Sequence, residues 1–171
     1  TISGNVEEIS SHVFEDMSNL EIIYYNVPNL ESGSSWDAFP LFENSGADSG
    51  LEVIVGEGVT QIPAYLFYGE SADTAPNITS VTLPSTLQSI GAYAFYNSDS
   101  LSSITFPANM SRLGEYAFGN CTSLGNVVFE DTTGWKMINA SGQETSIEGQ
   151  LGNPLIAALL LQGASYSEWY K

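Results

Sequence analysis

The residues of this chain that could do chemistry are few and scattered. Cys121 is the single cysteine and His12 the single histidine, set among 20 acidic and 3 basic residues for a formal charge of −17. A lone thiol forms neither an internal disulfide nor a thiolate zinc cluster. Cys121 follows Phe118 at the same step by which Met17 follows Phe14 and Ser98 follows Phe95. A position that takes Met, Ser or Cys is a small packing slot, not a nucleophile. His12 stands where Tyr93 and Tyr116 stand before their own phenylalanines, so an exposed turn position accounts for it better than a role as ligand or base. Glu15, Asp16, Asp48, Glu70 and Asp73 fall on loops and could gather calcium, but no run has the spacing of an EF-hand or a Gly-rich calcium repeat. A serine hydrolase needs a histidine beside a serine on a strained turn, and no such pair is visible. A glycoside-cleaving carboxylate pair stays open, because any two acids can meet in space. The expectation is a non-enzymatic chain with no catalytic residue, no metal and no cofactor.

The elements that carry these residues repeat. Leu83-Pro84-Ser85-Thr86-Leu87-Gln88-Ser89-Ile90-Gly91-Ala92-Tyr93-Ala94-Phe95 is rewritten as Phe106-Pro107-Ala108-Asn109-Met110-Ser111-Arg112-Leu113-Gly114-Glu115-Tyr116-Ala117-Phe118. Pro84 to Pro107, Ile90 to Leu113, Phe95 to Phe118 and Ile78 to Leu101 to Leu124 are each 23 residues apart. A fixed period of this size, with the strand phrase Leu101-x-x-Ile104-x-Phe106, is the signature of a leucine-rich repeat. Leu101, Ile104 and Phe106 alternate inward, while Ser103 and Thr105 face the other way. Pro107 removes a backbone donor and ends the strand. Met110 and Leu113 return apolar weight to the interior, and Glu115-Tyr116-Ala117-Phe118 reads as a short helical turn on the far side. One such coil cannot bury its own apolar face, so each needs neighbours. The predicted fold is an α/β repeat solenoid: a right-handed coil with a parallel sheet on one face, helical turns on the other, and a non-repeat C-terminal cap.

The same ruler places the rest of the chain. Ile2 precedes Ile9 as Phe106 precedes Leu113, so the first coil is entered partway and further sequence is expected upstream of Thr1. Its strand positions are Leu20, Ile23 and Tyr25. Residues 27–50 read as a degenerate second coil in which Ala38-Phe39 stands in for Ala94-Phe95, with a loop before Leu51. Val59, Ile62 and Phe67 lie 28 residues before Leu87, Ile90 and Phe95, which puts five extra residues into a loop at 69–77. Such insertions are tolerated surface loops or sit on a binding face. The repeat region is residues 1–129, about five coils. Residues 130–171 are the cap: strands at Trp135-Lys136-Met137-Ile138 and Thr145-Ser146-Ile147, then a helix opened by Asn153-Pro154. That helix is too short to cross a bilayer, and its expected role is to shield the last coil with Tyr166, Trp169 and Tyr170 packed alongside.

The charge argues against nucleic acid and anionic membranes as partners. With 43% hydrophobic residues the chain can bury a core, so the acidity belongs to the surface. Such a surface attracts basic partners or metal ions, or serves solubility outside the cell.

The phrases Val81-Thr82-Leu83-Pro84-Ser85-Thr86-Leu87-Gln88-Ser89-Ile90-Gly91-Ala92-Tyr93-Ala94-Phe95 and Phe118-Gly119-Asn120-Cys121-Thr122-Ser123-Leu124 resemble the BspA-like leucine-rich repeat family of bacterial surface proteins. The likeness is strong over residues 51–129, fair over 2–25 and poor between 27 and 50. The tail is similar to C-terminal segments that follow such repeats in gut-bacterial lipoproteins. The resemblance implies a secreted or surface-anchored protein, extracellular, with adhesion to host matrix proteins or other cells.

The register gives the residues expected on the open, concave face of the sheet: Ile22, Tyr24, Glu52, Ile54, Ser80, Thr82, Ser103, Thr105, Asn126 and Val128. Apolar residues on a solvent face can mark a contact surface, which singles out Ile22, Tyr24 and Ile54. Cover by the loop at 26–50 is the alternative. The expected partner is a protein or glycan; the rival readings are a spacer that holds another domain away from the cell and, more remotely, a carbohydrate-active enzyme.

Overall fold

The computed structural model describes residues 1–4, 6, 9, 12–28, 41–139, 141–163 and 168–171. The strand series begins with β1 (Ile2–Ser3), followed by β2 (Ile22–Asn26) and β3 (Leu51–Val55), the latter two alternating in burial. A second, shorter strand on the return path of the third coil is β4 (Gln61–Ile62), and the next two coils repeat the pair as β5 (Ile78–Thr82) with β6 (Ser89–Ile90), then β7 (Ser103–Phe106) with β8 (Arg112–Leu113). The last strand of this series is β9 (Asn126–Phe129).

All pairing within the series is parallel, so each strand is joined to the next by a crossover rather than a tight hairpin. β1, β2, β3 and β5 form one sheet, with Ile23 opposite Val53 and Val53 opposite Val81. β7 and β9 form a separate ladder. The return strands β4, β6 and β8 make a third, narrow ladder in which Ile62, Ile90 and Leu113 stand in register. Ile23, Tyr25, Val53, Val55, Ile104, Phe106, Val127 and Phe129 point into the interior, and all are buried.

The far side is not helical, in contrast to the turns expected from the sequence. His12, Tyr65, Tyr93 and Tyr116 have φ of 60°, 63°, 57° and 52°, in the left-handed region. A left-handed residue there breaks the local i to i−4 bonding a helical turn needs. The amides bond across coils instead: Phe67 N donates to Ala94 O at 2.9 Å and Phe95 N to Ala117 O at 2.8 Å. That bonding threads the phenylalanine rings into one interior column. Phe14, Phe42, Phe67, Phe95 and Phe118 stack at successive centroid distances of 5.0, 5.3, 5.1 and 5.1 Å.

Phe42 occupies the position expected of Phe39; Ala38 and Phe39 lie outside the described residues. Phe14 N donates to Leu41 O at 3.0 Å and Asp16 N to Glu43 O at 2.9 Å, which are the contacts Ala94 and Tyr96 make to the coil before them. The position is set by that bonding, not by a residue count through a coil of irregular length. Ser45 then fills the slot three residues on, and its Oγ donates to Phe14 O at 2.6 Å, as Cys121 Sγ donates to Phe95 O at 3.2 Å. At the same step Met17 is 44% exposed and the Ser98 hydroxyl is buried with no hydrogen-bond partner among the described residues, so the closure is not shared by every coil.

Beyond Phe129, β10 (Lys136–Ile138) and β11 (Glu144–Ser146) pair antiparallel. α1 (Glu148–Leu151) leads into α2 (Pro154–Gln162), where Asn153 Oδ1 accepts from Leu155 N and Ile156 N at 3.1 and 3.3 Å. α2 packs Ala157, Ala158 and Leu161 inward beside β9, and Gln162 Nε2 donates to Leu124 O. Trp169 and Tyr170 lie in a strand, a role the sequence did not suggest for them. They belong to β12 (Glu168–Tyr170), which pairs antiparallel with β10 on one side and β8 on the other. The edge amides of β8 would otherwise go unpaired, and the extended Glu-Trp-Tyr run satisfies them while burying Trp169 against Phe129. Tyr166 lies outside the described residues.

Candidate functional site

The outward positions of the parallel strands fall into two cross-strand rows. Ile22, Glu52 and Ser80 stand opposite one another in β2, β3 and β5, and Tyr24, Ile54 and Thr82 form the row beside them. Ser103 opposite Asn126 and Thr105 opposite Val128 make the corresponding pairs of the β7–β9 ladder. Ile22, Tyr24 and Val128 remain 38%, 43% and 36% exposed, while Glu52 and Ile54 are half-buried. Ser80, Thr82, Ser103, Thr105 and Asn126 are exposed and small or polar. Three of the four apolar residues, Ile22, Tyr24 and Ile54, therefore gather on β2 and β3, and Val128 stands apart on β9. Of the covering loop considered from the sequence, residues 26–50, Leu41 and Phe42 are buried in the core, and residues 29–40 lie outside the described residues.

The titratable groups divide into inert and poised. Cys121 is fully buried, and desolvation pushes its thiol up to about 12, so it is a protonated packing residue. Asp131 accepts from Lys171 Nζ at 2.7 Å and from Thr133, and these bonds hold its carboxyl well below the usual range as a tie to Lys171. A cleft of about 350 Å³ outside the β4–β6–β8 ladder is lined by Gln61, Ser89, Arg112, Glu115 and Glu168. It brings two acids to one place, but Glu168 is held by Arg112 at 2.5 Å.

Two groupings were not anticipated. His12 lies on the outer turn of the first coil with Glu15 Oε2 at 3.3 Å and, from the next coil, Glu43 Oε2 at 3.8 Å. Burial, and then the neighbouring Glu15 and Glu70, raise the Glu43 carboxyl against the opposing pull of His12. Residue spacing gave no hint of Glu43, because its coil was placed three residues out. The second grouping is a strip of tyrosines: Tyr65 on Tyr93 and Tyr93 on Tyr116 stack at 5.1 and 5.0 Å, with Tyr68 on Tyr96 beside them at 5.8 Å. Burial foremost, and then Glu115, raise the Tyr65 and Tyr93 hydroxyls, which stay protonated donors. The sequence signal for the strip was the phrase Tyr-x-Phe-Tyr at 65–68 and 93–96.

Stacked parallel strands with a ring column and outer turns define a leucine-rich-repeat protein. Residues 1–74 and 41–143 match the BspA type leucine rich repeat region, with 6 copies of the repeat, and the chain belongs to that family. A leucine rich cell surface protein from Faecalibacterium prausnitzii A2-165, solved by crystallography, is similar in structure with a TM-score of 0.51 at 24% identity. The match covers 81% of this chain and 35% of that one, so this chain spans about a third of that protein's length. No curated protein matches the chain. Among the described residues no helix is long and apolar enough to cross a membrane.

Proposed function

We propose that this chain is a non-enzymatic binding module displayed outside a bacterial cell, a right-handed solenoid closed by its tail, which adheres to a protein or glycan through the outward sheet face. The observation that carries this reading is the placement of Ile22 and Tyr24, 38% and 43% exposed, on one face of β2. Isolated apolar residues on a surface are ordinary; two on one strand beside Ile54 make a small patch with a polar surround. An aromatic ring with a hydroxyl is suited to the centre of such a contact, since it supplies buried area and a hydrogen bond at little entropic cost. The membership of a surface-protein family supports the location.

The test is a binding screen of the purified chain against arrayed host matrix proteins and glycans, followed by Tyr24→Ala on whichever partner saturates. Tyr24→Ala should weaken that partner about tenfold or more. Its melting temperature should stay within a degree or so of the parent's, as for a surface substitution. A large fall in melting temperature would place the ring under a covering loop. A screen with no saturable partner would make the chain a spacer.

A further inference from the structure

We infer that His12, Glu15 and Glu43 form a three-ligand site for a divalent cation of the zinc type, which ties the first coil to the second. One ligand atom from each lies within 4.8 Å of the other two. A cation held at about 2.0–2.2 Å by nitrogen and oxygen in tetrahedral geometry spaces its ligands about 3.3–3.5 Å apart. His12 Nδ1 stands 3.3 Å from Glu15 Oε2 and 3.8 Å from Glu43 Oε2, close to that edge length.

The supports are rigid. Phe14 N to Leu41 O and Asp16 N to Glu43 O, at 3.0 and 2.9 Å, bolt the two coils together on either side of the ligands. Asp16 is turned away, because its Oδ1 accepts from Asn44 Nδ2 at 2.8 Å. Thr74 Oγ1 reaches the other oxygen of Glu43, leaving Oε2 for the cation. The side chain of Glu43 is 12% exposed, while those of His12 and Glu15 are 49% and 40% exposed, so the site is anchored at its floor and open to a water ligand above.

The charges point the same way. Two carboxylates converge on one imidazole, and Glu70 adds a third negative group near Glu43. A divalent cation held there balances the two ligand carboxylates and leaves only the single negative charge that Glu70 adds. The nitrogen donor selects against calcium, which prefers six to eight oxygens.

The experiment titrates the metal-free chain with Co²⁺, then displaces it with Zn²⁺. One equivalent of Co²⁺ should bind with the visible absorption of a four-coordinate ion, and Zn²⁺ should raise the melting temperature. His12→Gln and Glu43→Gln should each weaken Co²⁺ binding at least about tenfold, with circular dichroism unchanged. Absence of saturable binding would overturn the proposal. So would Co²⁺ binding that survives His12→Gln or that millimolar Ca²⁺ abolishes equally well, since either would mean diffuse attraction to an acidic surface.

Discussion

The coils from Ile78 to Phe129 and the stretch from Phe14 to Leu51 solve the same packing problem in different ways. In the later region the chain returns to each landmark after a constant step, and Pro, Gly, Tyr and Phe recur in order. In the earlier region the step from Phe14 to Phe42 is 28 residues and from Phe42 to Phe67 is 25, with no matching Pro or Gly phrase. Yet the ring column passes through Phe42 at spacings of 5.0 and 5.3 Å, no looser than 5.1 Å between Phe95 and Phe118. What the coils share is a ring in the column and amide-to-carbonyl bonds to the adjacent coil; a small donor closing on a carbonyl is added at Ser45 and Cys121. Chain length between them is slack, which surface loops absorb at small entropic cost.

The comparison can be broken from its regular side. Phe95→Ala removes a fully buried ring that stacks on both neighbours, and should lower unfolding free energy by about 3–5 kcal/mol in urea titration. A near-neutral result would mean the column does not bear on stability. Gly114→Ala tests the close approach of the return strands, where an added Cβ would sit 2.3 Å from Ala92 N. It should cost about 1–3 kcal/mol or more, because backbone cannot swing aside as a side chain can. Gly134→Ala is the control: nothing lies near its Cβ, and its loss should come only from the φ of 76°.

A smaller effect sharpens the irregular side. The folded state raises the Glu43 carboxyl, so its contribution to stability is fully present below its unfolded value and is lost as pH rises through the folded one. In metal-free buffer Glu43→Gln should therefore melt slightly higher than the parent at neutral pH. The gap should close as pH falls below the ordinary glutamate value of 4.5, followed by thermal melts across that range. A parent that is the more stable at neutral pH without metal would contradict the desolvation argument.

Where local chemistry repeats at a fixed step, both fold and face were legible. Alternation about Ile104 and Phe106 gave the outward residues, and the register then set Ile22 opposite Glu52 and Tyr24 opposite Ile54. Phe42 was hidden by Ala38-Phe39, a local pair that matches Ala94-Phe95. The phrase Phe-x-Asn-Ser at 42–45 repeats Phe95-x-Asn97-Ser98 and would have found it. The left-handed tyrosines hid for another reason: a bulky residue rarely takes that conformation, and only the bonds to the next coil sustain it. β12 was illegible because its partners, Leu113 and Met137, are fixed by tertiary contact and by no local pattern. The site around His12 depends on two coils meeting, so a single-coil reading saw only an exposed histidine.

The central claim, that one ring column runs unbroken through the irregular coil, is tested most directly by Phe42→Ala measured beside Phe95→Ala in urea. The two losses should be alike, about 3–5 kcal/mol each, with the same slope on denaturant. A loss below about 1 kcal/mol for Phe42→Ala, with Phe95→Ala still costly, would show that the column ends at Phe67 and that the first coils pack by some other rule.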